Sequence, residues 1–309
     1  MLLTVTLNPA IDLHFKVKSI NFDQPLRCTE FEKSQGGKGI NVSFVAKEMG
    51  AKSIALSILG GHTGKDLLAL AKKNGIALHY IRVEKETRTN IVVTESETGK
   101  RLKINSPGAL LSTKEFQRFD FLFHKFLKEA KMIAISGKLP PGLPPDTYAR
   151  MIKAAKRRNI PVILDTEGEP LKFGIEMQPF MIKPNKEEFE YLIGRKINNL
   201  NDLIDSGKHL LRSGPELIVV SNASAPCVAL SEKECWVAYP SQDVPCKAVG
   251  AGDALVAGMA TAFLDNKNLR EALKLGVAYG TASALTPYPH LFNKNLVSEL
   301  LLKTKIEKI

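Results

Sequence analysis

The feature that most restricts the fold of this 309-residue chain is a regular exchange of short apolar runs with helix-period segments. "LLTVTL" (2–7), "SIALSIL" (53–59), "MIAISG" (132–137), "IPVILD" (160–165), "PFMIKP" (179–184) and "ELIVVS" (216–221) have strand length. Most of these runs are continuously apolar rather than alternating, as expected of parallel strands covered on both faces. Between them lie "KGINVSFVAKEMGA", "GKDLLALAKKNG", "PDTYARMIKAAKRRN" and "NDLIDSGKHLLRSG", several closing on Gly or Asn as helix C-caps do. The order predicts an α/β, doubly wound, mostly parallel sheet with helices on both faces. Residues 12–34 and 87–105 break the rhythm. They are polar and alternating, with turn signals such as "ETGK", and predict antiparallel hairpins that form a small β lid inserted into one domain spanning 1–309. After residue 250 the pattern is helical to the end.

Composition excludes little. Apolar residues make up 44% and charged residues 24%, as in ordinary globular proteins. No run reaches the roughly 18 apolar residues of a membrane span, and the start lacks a basic leader and cleavage site. Cys28, Cys227, Cys235 and Cys246 show no paired spacing and predict reduced thiols in a cytoplasmic protein. The net charge of +11 suits a small anionic substrate or a plain solvated surface. Nucleic acid is disfavoured, because the basic residues are scattered and only one Trp and six Tyr are available to stack.

Two glycine turns concentrate the chemistry. "VGAGDALVAGMATAFL" (249–264) places Leu255, Val256, Met259 and Phe263 on one helical face, so a helix begins near Gly250 to Asp253. The amides of Ala251, Gly252 and Asp253 then form an anion site at its N-terminus. Asp253 either caps this helix or takes a proton from an attacking hydroxyl while the amides hold a transferred phosphoryl group. A Rossmann fingerprint and a GxxxxGK[ST] loop are both absent. The second turn, "QGGKGINVSFVAKEMG" (35–50), sets Lys38 against the helix dipole, at a cost of some tenths of a kcal/mol up to about 1. Either an anion binds there or the lysine is simply exposed.

"TLNPAID", "GGKGINV", "TRTN", "ISGKLPPG", "KPNKEE" and "GAGD" follow one another as in the ribokinase-like, or pfkB, carbohydrate kinases, and the resemblance runs from about residue 2 to 285. It is nearest to the hexose-phosphate branch of 1-phosphofructokinases and tagatose-6-phosphate kinases, with "ETRTNIVV" leaning to the former. The resemblance implies ATP-dependent phosphorylation of a ketohexose monophosphate, with Asp253 as base and Gly250, Ala251 and Gly252 around the anion hole. It assigns Asp12, Gly36, Gly37, Lys38, Asn41 and Gly137 to the sugar phosphate, and Arg88, Asn90 and Lys103 to its existing phosphate. It assigns Lys183, Asn185, Ser221, Asn222, Ala223, Gly250 and Gly252 to the nucleotide, and Asn185 and Glu188 to Mg²⁺ through water. A surface helix position is the alternative for Glu188. A homodimer through the lid is a further implication.

The chain also departs from that pattern. Ser221-Asn222-Ala223-Ser224-Ala225-Pro226 lacks both glycines of the usual turn beside the nucleotide. Ala254 and Lys138 stand where Ser is usual, and Tyr288 and His290 threaten to crowd the adenine. Two hypotheses remain at this point: a working kinase with altered nucleotide preference, or a degenerate kinase that senses a sugar phosphate.

Overall fold

In the computed structural model, which describes residues 1–223, 225–241, 249–287 and 290–309, fourteen strands form two sheets. The strands are β1 (Leu2–Thr6), β2 (Ala10–Val17), β3 (Cys28–Gly36), β4 (Ser53–Gly60), β5 (Leu78–Val83), β6 (Arg88–Glu95), β7 (Arg101–Asn105), β8 (Met132–Ser136), β9 (Val162–Asp165), β10 (Met181–Ile182), β11 (Leu217–Asn222), β12 (Ala225–Ser231), β13 (Cys235–Tyr239) and β14 (Lys305–Lys308). The helices are α1 (Lys38–Glu48), α2 (Gly61–Lys73), α3 (Thr113–Leu127), α4 (Thr147–Lys156), α5 (Glu169–Glu176), α6 (Lys186–Ile193), α7 (Leu200–Leu211), α8 (Ala251–Leu264), α9 (Leu269–Leu285) and α10 (Val297–Lys303).

The large sheet has the order β14-β13-β12-β11-β10-β9-β8-β1-β4-β5. Neighbours from β5 to β11 are parallel, and β12, β13 and β14 complete it antiparallel. The six apolar runs fall on its parallel strands, and successive residues face opposite helical layers. Leu3, Val5, Ile133, Ile135, Ile218 and Val220 pack with Phe119, Tyr148, Ile152 and Phe189 of α3, α4 and α6. Leu2, Met132, Ala134, Leu217 and Val219 pack instead with α1, α8 and α9 through Val42, Val45, Val256 and Leu273. Two-sided burial is therefore why these strands show no polar alternation.

The two polar hairpins form the small sheet, in the order β3-β2-β6-β7. Each hairpin is antiparallel, as its alternation predicts, and a parallel pairing of β2 with β6 joins them. Its base rests on α2, where Ile11 and Leu13 meet Leu67, Leu68 and Ala71.

Two expectations need correction. The chain is not helical to its end, because β14 pairs antiparallel with β13. The reason is local: in "KIEK" Ile306 packs on the core while its neighbours Lys305 and Glu307 point to the opposite face. Nor is α8 apolar on one face only. Every residue from Asp253 to Ala262 is buried, because α8 is sandwiched between the sheet and α9.

That sandwich is tight. A Cβ on Gly258 would lie 2.8 Å from the Cα of Gly276, where α8 and α9 cross. Gly258→Val should therefore lower stability by about 1–3 kcal/mol, the usual cost of overpacking, measured as a fall in the urea midpoint. An unchanged midpoint would mean that the crossing has slack.

Candidate functional site

The site lies at the carboxyl ends of the parallel strands, where open α/β sheets bind ligands. Asn8 follows β1, Gly137 follows β8, Asp165 ends β9, Lys183 follows β10, and Asn222 ends β11. The N-termini of α1 and α8 lie beside these strand ends. Both start on glycine without a side-chain cap: Gly37 at φ 118° and Gly250 at φ 83°. These are conformations that a side chain resists. The first helical bond of α8 runs from Ala254 N to Gly250 O (2.8 Å), so the helix itself leaves the amides of Ala251, Gly252 and Asp253 unused. The Lys183 ammonium stands 3.5 Å from the position a Gly252 Cβ would occupy.

Asp253 does not cap α8. It is 6% exposed, and its Oδ2 accepts from Asn41 Nδ2 at 2.8 Å. Burial, aided by the nearby Asp165 carboxylate, pushes its pKa up to about 7 against the opposing pull of Lys38, Asn41 and Lys183. Asp165 is the residue that sequence reading missed. It is 1% exposed, and its Oδ1 pairs with Lys38 Nζ (3.2 Å) and Lys183 Nζ (3.3 Å). Burial alone would raise its pKa, but the two ammonium groups hold it below the usual carboxylate range. For Lys38, burial favours the neutral amine, yet Asp165, Glu188 and Asp253 outweigh it and keep the amine charged. Lys38 is thus ion-paired with Asp165 while its side chain keeps 37% exposure. Asp165 could have been suspected only from its position, as an acid ending the apolar run "IPVILD".

The small sheet supplies the facing groups. Asp12 and Asn90 are register partners on β2 and β6, and Asn90 Nδ2 donates to Asp12 Oδ1 at 2.8 Å. A Cβ on Gly36 would come within 2.6 Å of that oxygen. Burial raises the Asp12 carboxyl, while Asn90, Arg88 and Lys103 pull it down. Arg88 donates from Nη1 to Ser106 O (2.9 Å) and from Nη2 to Asn8 O (3.0 Å). Asn8 is a second residue not anticipated, and its side chain also donates to Pro107 O at 3.1 Å. Lys103 is exposed on β7. Gly137, at φ 99°, has its carbonyl held by Tyr148 Oη and Thr166 Oγ1, each at 3.0 Å. Arg88 Nε, Asn90 Oδ1, Asn41 Oδ1 and Asp165 Oδ2 are buried without a hydrogen-bond partner among the described residues. Buried polar atoms are normally paired, so this concentration of unpaired ones marks a place built for a ligand.

Asn185 and Glu188 form a reciprocal capping box on α6: Glu188 N donates to Asn185 Oδ1 (2.8 Å), and Asn185 N to Glu188 Oε2 (2.9 Å). Glu188 is half-buried rather than on the open surface. Burial raises its carboxyl, with Lys38 and Lys183 opposing. Ser221 N donates to Pro184 O at 3.1 Å, which puts the end of β11 beside Asn185. Asn222 pairs with Ala225 across the β11–β12 turn. There Ala223 takes φ 44° despite its Cβ, a glycine-like conformation forced on a residue that disfavours it. Lys138 pairs with Glu167 at 2.6 Å, and Ala254 is fully buried in α8. His290 is exposed. Ser224, Cys246 and Tyr288 lie outside the described residues.

The raised Asp253 carboxyl carries a signed prediction. Between the unfolded pKa of 3.8 and about 7, the folded protein binds the extra proton. Stability therefore falls as pH rises through that window. Asp253→Asn removes the penalty, so the variant should melt above the wild type at pH 8, with the gap closing toward pH 4. A gap independent of pH, in thermal melts across this range, would contradict the assignment.

With this geometry in view, the profile of the pfkB family carbohydrate kinases matches residues 4–293. The chain is 32% identical over 309 residues to a 1-phosphofructokinase of Bacillus subtilis, covering all of both chains. It is 30% identical over 313 residues to a tagatose-6-phosphate kinase of Staphylococcus epidermidis, again covering all of both. Among solved structures it resembles phosphofructokinase-2 from Escherichia coli in complex with potassium, at a TM-score of 0.92 and 27% identity, covering 97% of this chain and 98% of that one. The ribokinase-like expectation for the fold holds. The match across residues 4–293 and the full-length relatives make the chain a member of the pfkB family of carbohydrate kinases and a sugar-phosphate kinase.

Proposed function

We propose that this kinase transfers the γ-phosphoryl group of ATP to the free primary hydroxyl of a ketohexose monophosphate, and that fructose 1-phosphate, giving fructose 1,6-bisphosphate, is its substrate. The observation that carries the reading is Asp253, a buried carboxylate with no cap to make, poised near neutral pH beside the N-terminus of α8. A base tuned to the working pH both accepts and releases a proton readily. Asp253 takes the proton of the attacking hydroxyl. The α8 amides and the Lys38 and Lys183 ammonium groups offset charge on the transferred phosphoryl, which is most of what such a reaction needs. Asp12, Gly36, Gly37, Asn41 and Gly137 hold the sugar, while Arg88, Asn90 and Lys103 meet its existing phosphate, where a planar guanidinium suits a phosphate face.

Asn185, Ser221, Asn222 and Ala223 flank the nucleotide with Gly250 and Gly252. Mg²⁺ suits this donor set. Among the described residues no three His, Cys, Asp or Glu side chains gather closely enough to cage a metal, and Mg²⁺ keeps most of its waters and borrows few protein oxygens. Glu188 spends Oε2 on the α6 cap, leaving Oε1, with Asn185, to hold those waters. When bound, the ion neutralises phosphate charge.

Tagatose 6-phosphate and fructose 6-phosphate are the competing acceptors within the same chemistry. The sensor alternative loses its ground, because an idle fold has no use for the buried Asp253–Lys38–Asp165–Lys183 arrangement. Exposed Phe22, Phe31, Leu102 and Ile104 on the small sheet and its connecting loop support pairing of two copies through this lid. The reading places the enzyme in the cytoplasm, where ATP and phosphosugars meet.

A coupled assay of ADP release with the three phosphosugars tests the reading, with fructose 1-phosphate expected to give the highest kcat/KM. Turnover should rise through an acid limb near pH 7, and Asp253→Asn should lower kcat at least about 10²-fold. Unchanged turnover removes Asp253 from its role. Arg88→Ala should raise KM for the phosphosugar more than for ATP, whereas equal effects would contradict the phosphate assignment.

A further inference from the structure

Glu86 lies outside the site and is exposed, yet its carboxylate does the work of a missing helix cap. Helix α2 starts after Gly60, which has no side chain to offer, and its first turn holds no acid. Glu86 arrives from the loop between β5 and β6, and its Oε1 accepts from Thr63 N at 2.5 Å. That amide holds the Glu86 carboxyl below the usual range. The approach is so close that a Cβ on Gly61, at φ 64°, would lie 1.7 Å from Glu86 Oε2. A Cβ on Gly60 would lie 1.9 Å from Lys85 O. Thr87 completes the joint: Gly60 N donates to Thr87 Oγ1 (2.9 Å), and Thr87 N to Gly60 O (3.0 Å).

The next residue is Arg88, and Asn90 follows two positions later. The same helix also carries β2 and β3, through Ile11 and Leu13 on β2 and through the Lys33–Asp66 ion pair (3.3 Å) from β3. Helix α2 thus underlies β2 and β3, and at the Gly60-Gly61 corner it grips the root of β6 through hydrogen bonds.

We propose that Glu86 is a positioning residue for phosphosugar recognition, which caps α2 across the Gly60-Gly61 corner and thereby fixes where Arg88 and Asn90 present their side chains. The inference rests on reading Arg88 and Asn90 as phosphosugar ligands. A cap supplied from the sheet's own root couples helix and strand. Losing it shifts Arg88 by a fraction of the distance that matters in ligand orientation, while Asp253 and the α8 amides stay in place.

The test is steady-state kinetics on Glu86→Ala, with Glu86→Gln, Gly61→Ala and Asn268→Ala beside it. For Glu86→Ala the KM for fructose 1-phosphate should rise about three- to tenfold, with kcat and the KM for ATP within about twofold of wild type. Glu86→Gln keeps an acceptor for Thr63 N and should return that KM to within about twofold. Gly61→Ala displaces the carboxylate from the other side and should reproduce the shift, which keeps the test alive if the alanine variant at 86 fails to fold. Asn268→Ala breaks a capping box on α9, far in sequence from this joint, and should lower Tm without moving the phosphosugar KM. Equal changes in both KM values, or the same phosphosugar shift from Asn268→Ala, would overturn the inference. An active wild type with an unmoved Glu86→Ala and Gly61→Ala sinks this inference alone. A wild type inert toward all three phosphosugars sinks the parent reading, and this one with it.

Discussion

A carboxylate deprived of water has to be compensated or keep its proton, and the centre of this protein holds two carboxylates treated in opposite ways. Asp165 has two ammonium groups on one oxygen and stays ionised. Asp253 has only the Asn41 amide and is balanced near neutrality. Each ammonium group acts on both acids at once, lowering the pKa of each. This arrangement requires β9, β10, α1 and α8 to meet at one point. The parallel order of the sheet and the two glycine-started helices are what bring them there.

The glycine positions follow from the same requirement. Gly250 and Gly37 let helices begin where a capping side chain would otherwise fill the space. Gly36 lets the Asp12 carboxylate lie across a neighbouring strand. By contrast, Ala223 in the β11–β12 turn takes the left-handed conformation despite its Cβ. Such a residue costs of order 1–3 kcal/mol, so the surrounding pairing of Asn222 with Ala225 must impose it.

Much of this was readable in the sequence, and the failures have physical causes. Continuous apolar runs found the parallel strands because two-sided burial leaves a strong local signature. β14 was missed because four residues alternating Lys, Ile, Glu, Lys are too short to distinguish from a frayed helix without the partner strand β13. The helix at 251–264 was placed correctly but judged one-sided, since small residues such as Ala257 and Ala260 look neutral until a neighbouring helix presses on them. Asp253, Lys38 and Asn41 were singled out and lie together in the structure, and Asp12 and Asn90 were singled out and pair with each other. Asp165 was not, because its meaning depends on two lysines 127 and 18 positions away in sequence, a relation that no local pattern carries.

The staple made by Arg88 has a bearing on energetics beyond its geometry. A free arginine surrenders considerable rotamer freedom when it seizes an anion. Here two of its five N–H groups are already committed to the carbonyls of Asn8 and Ser106, so the side chain is held before any ligand arrives, and in the proposed phosphate-binding role it would have less freedom left to lose. Much of the cost of immobilising it is met when the chain folds.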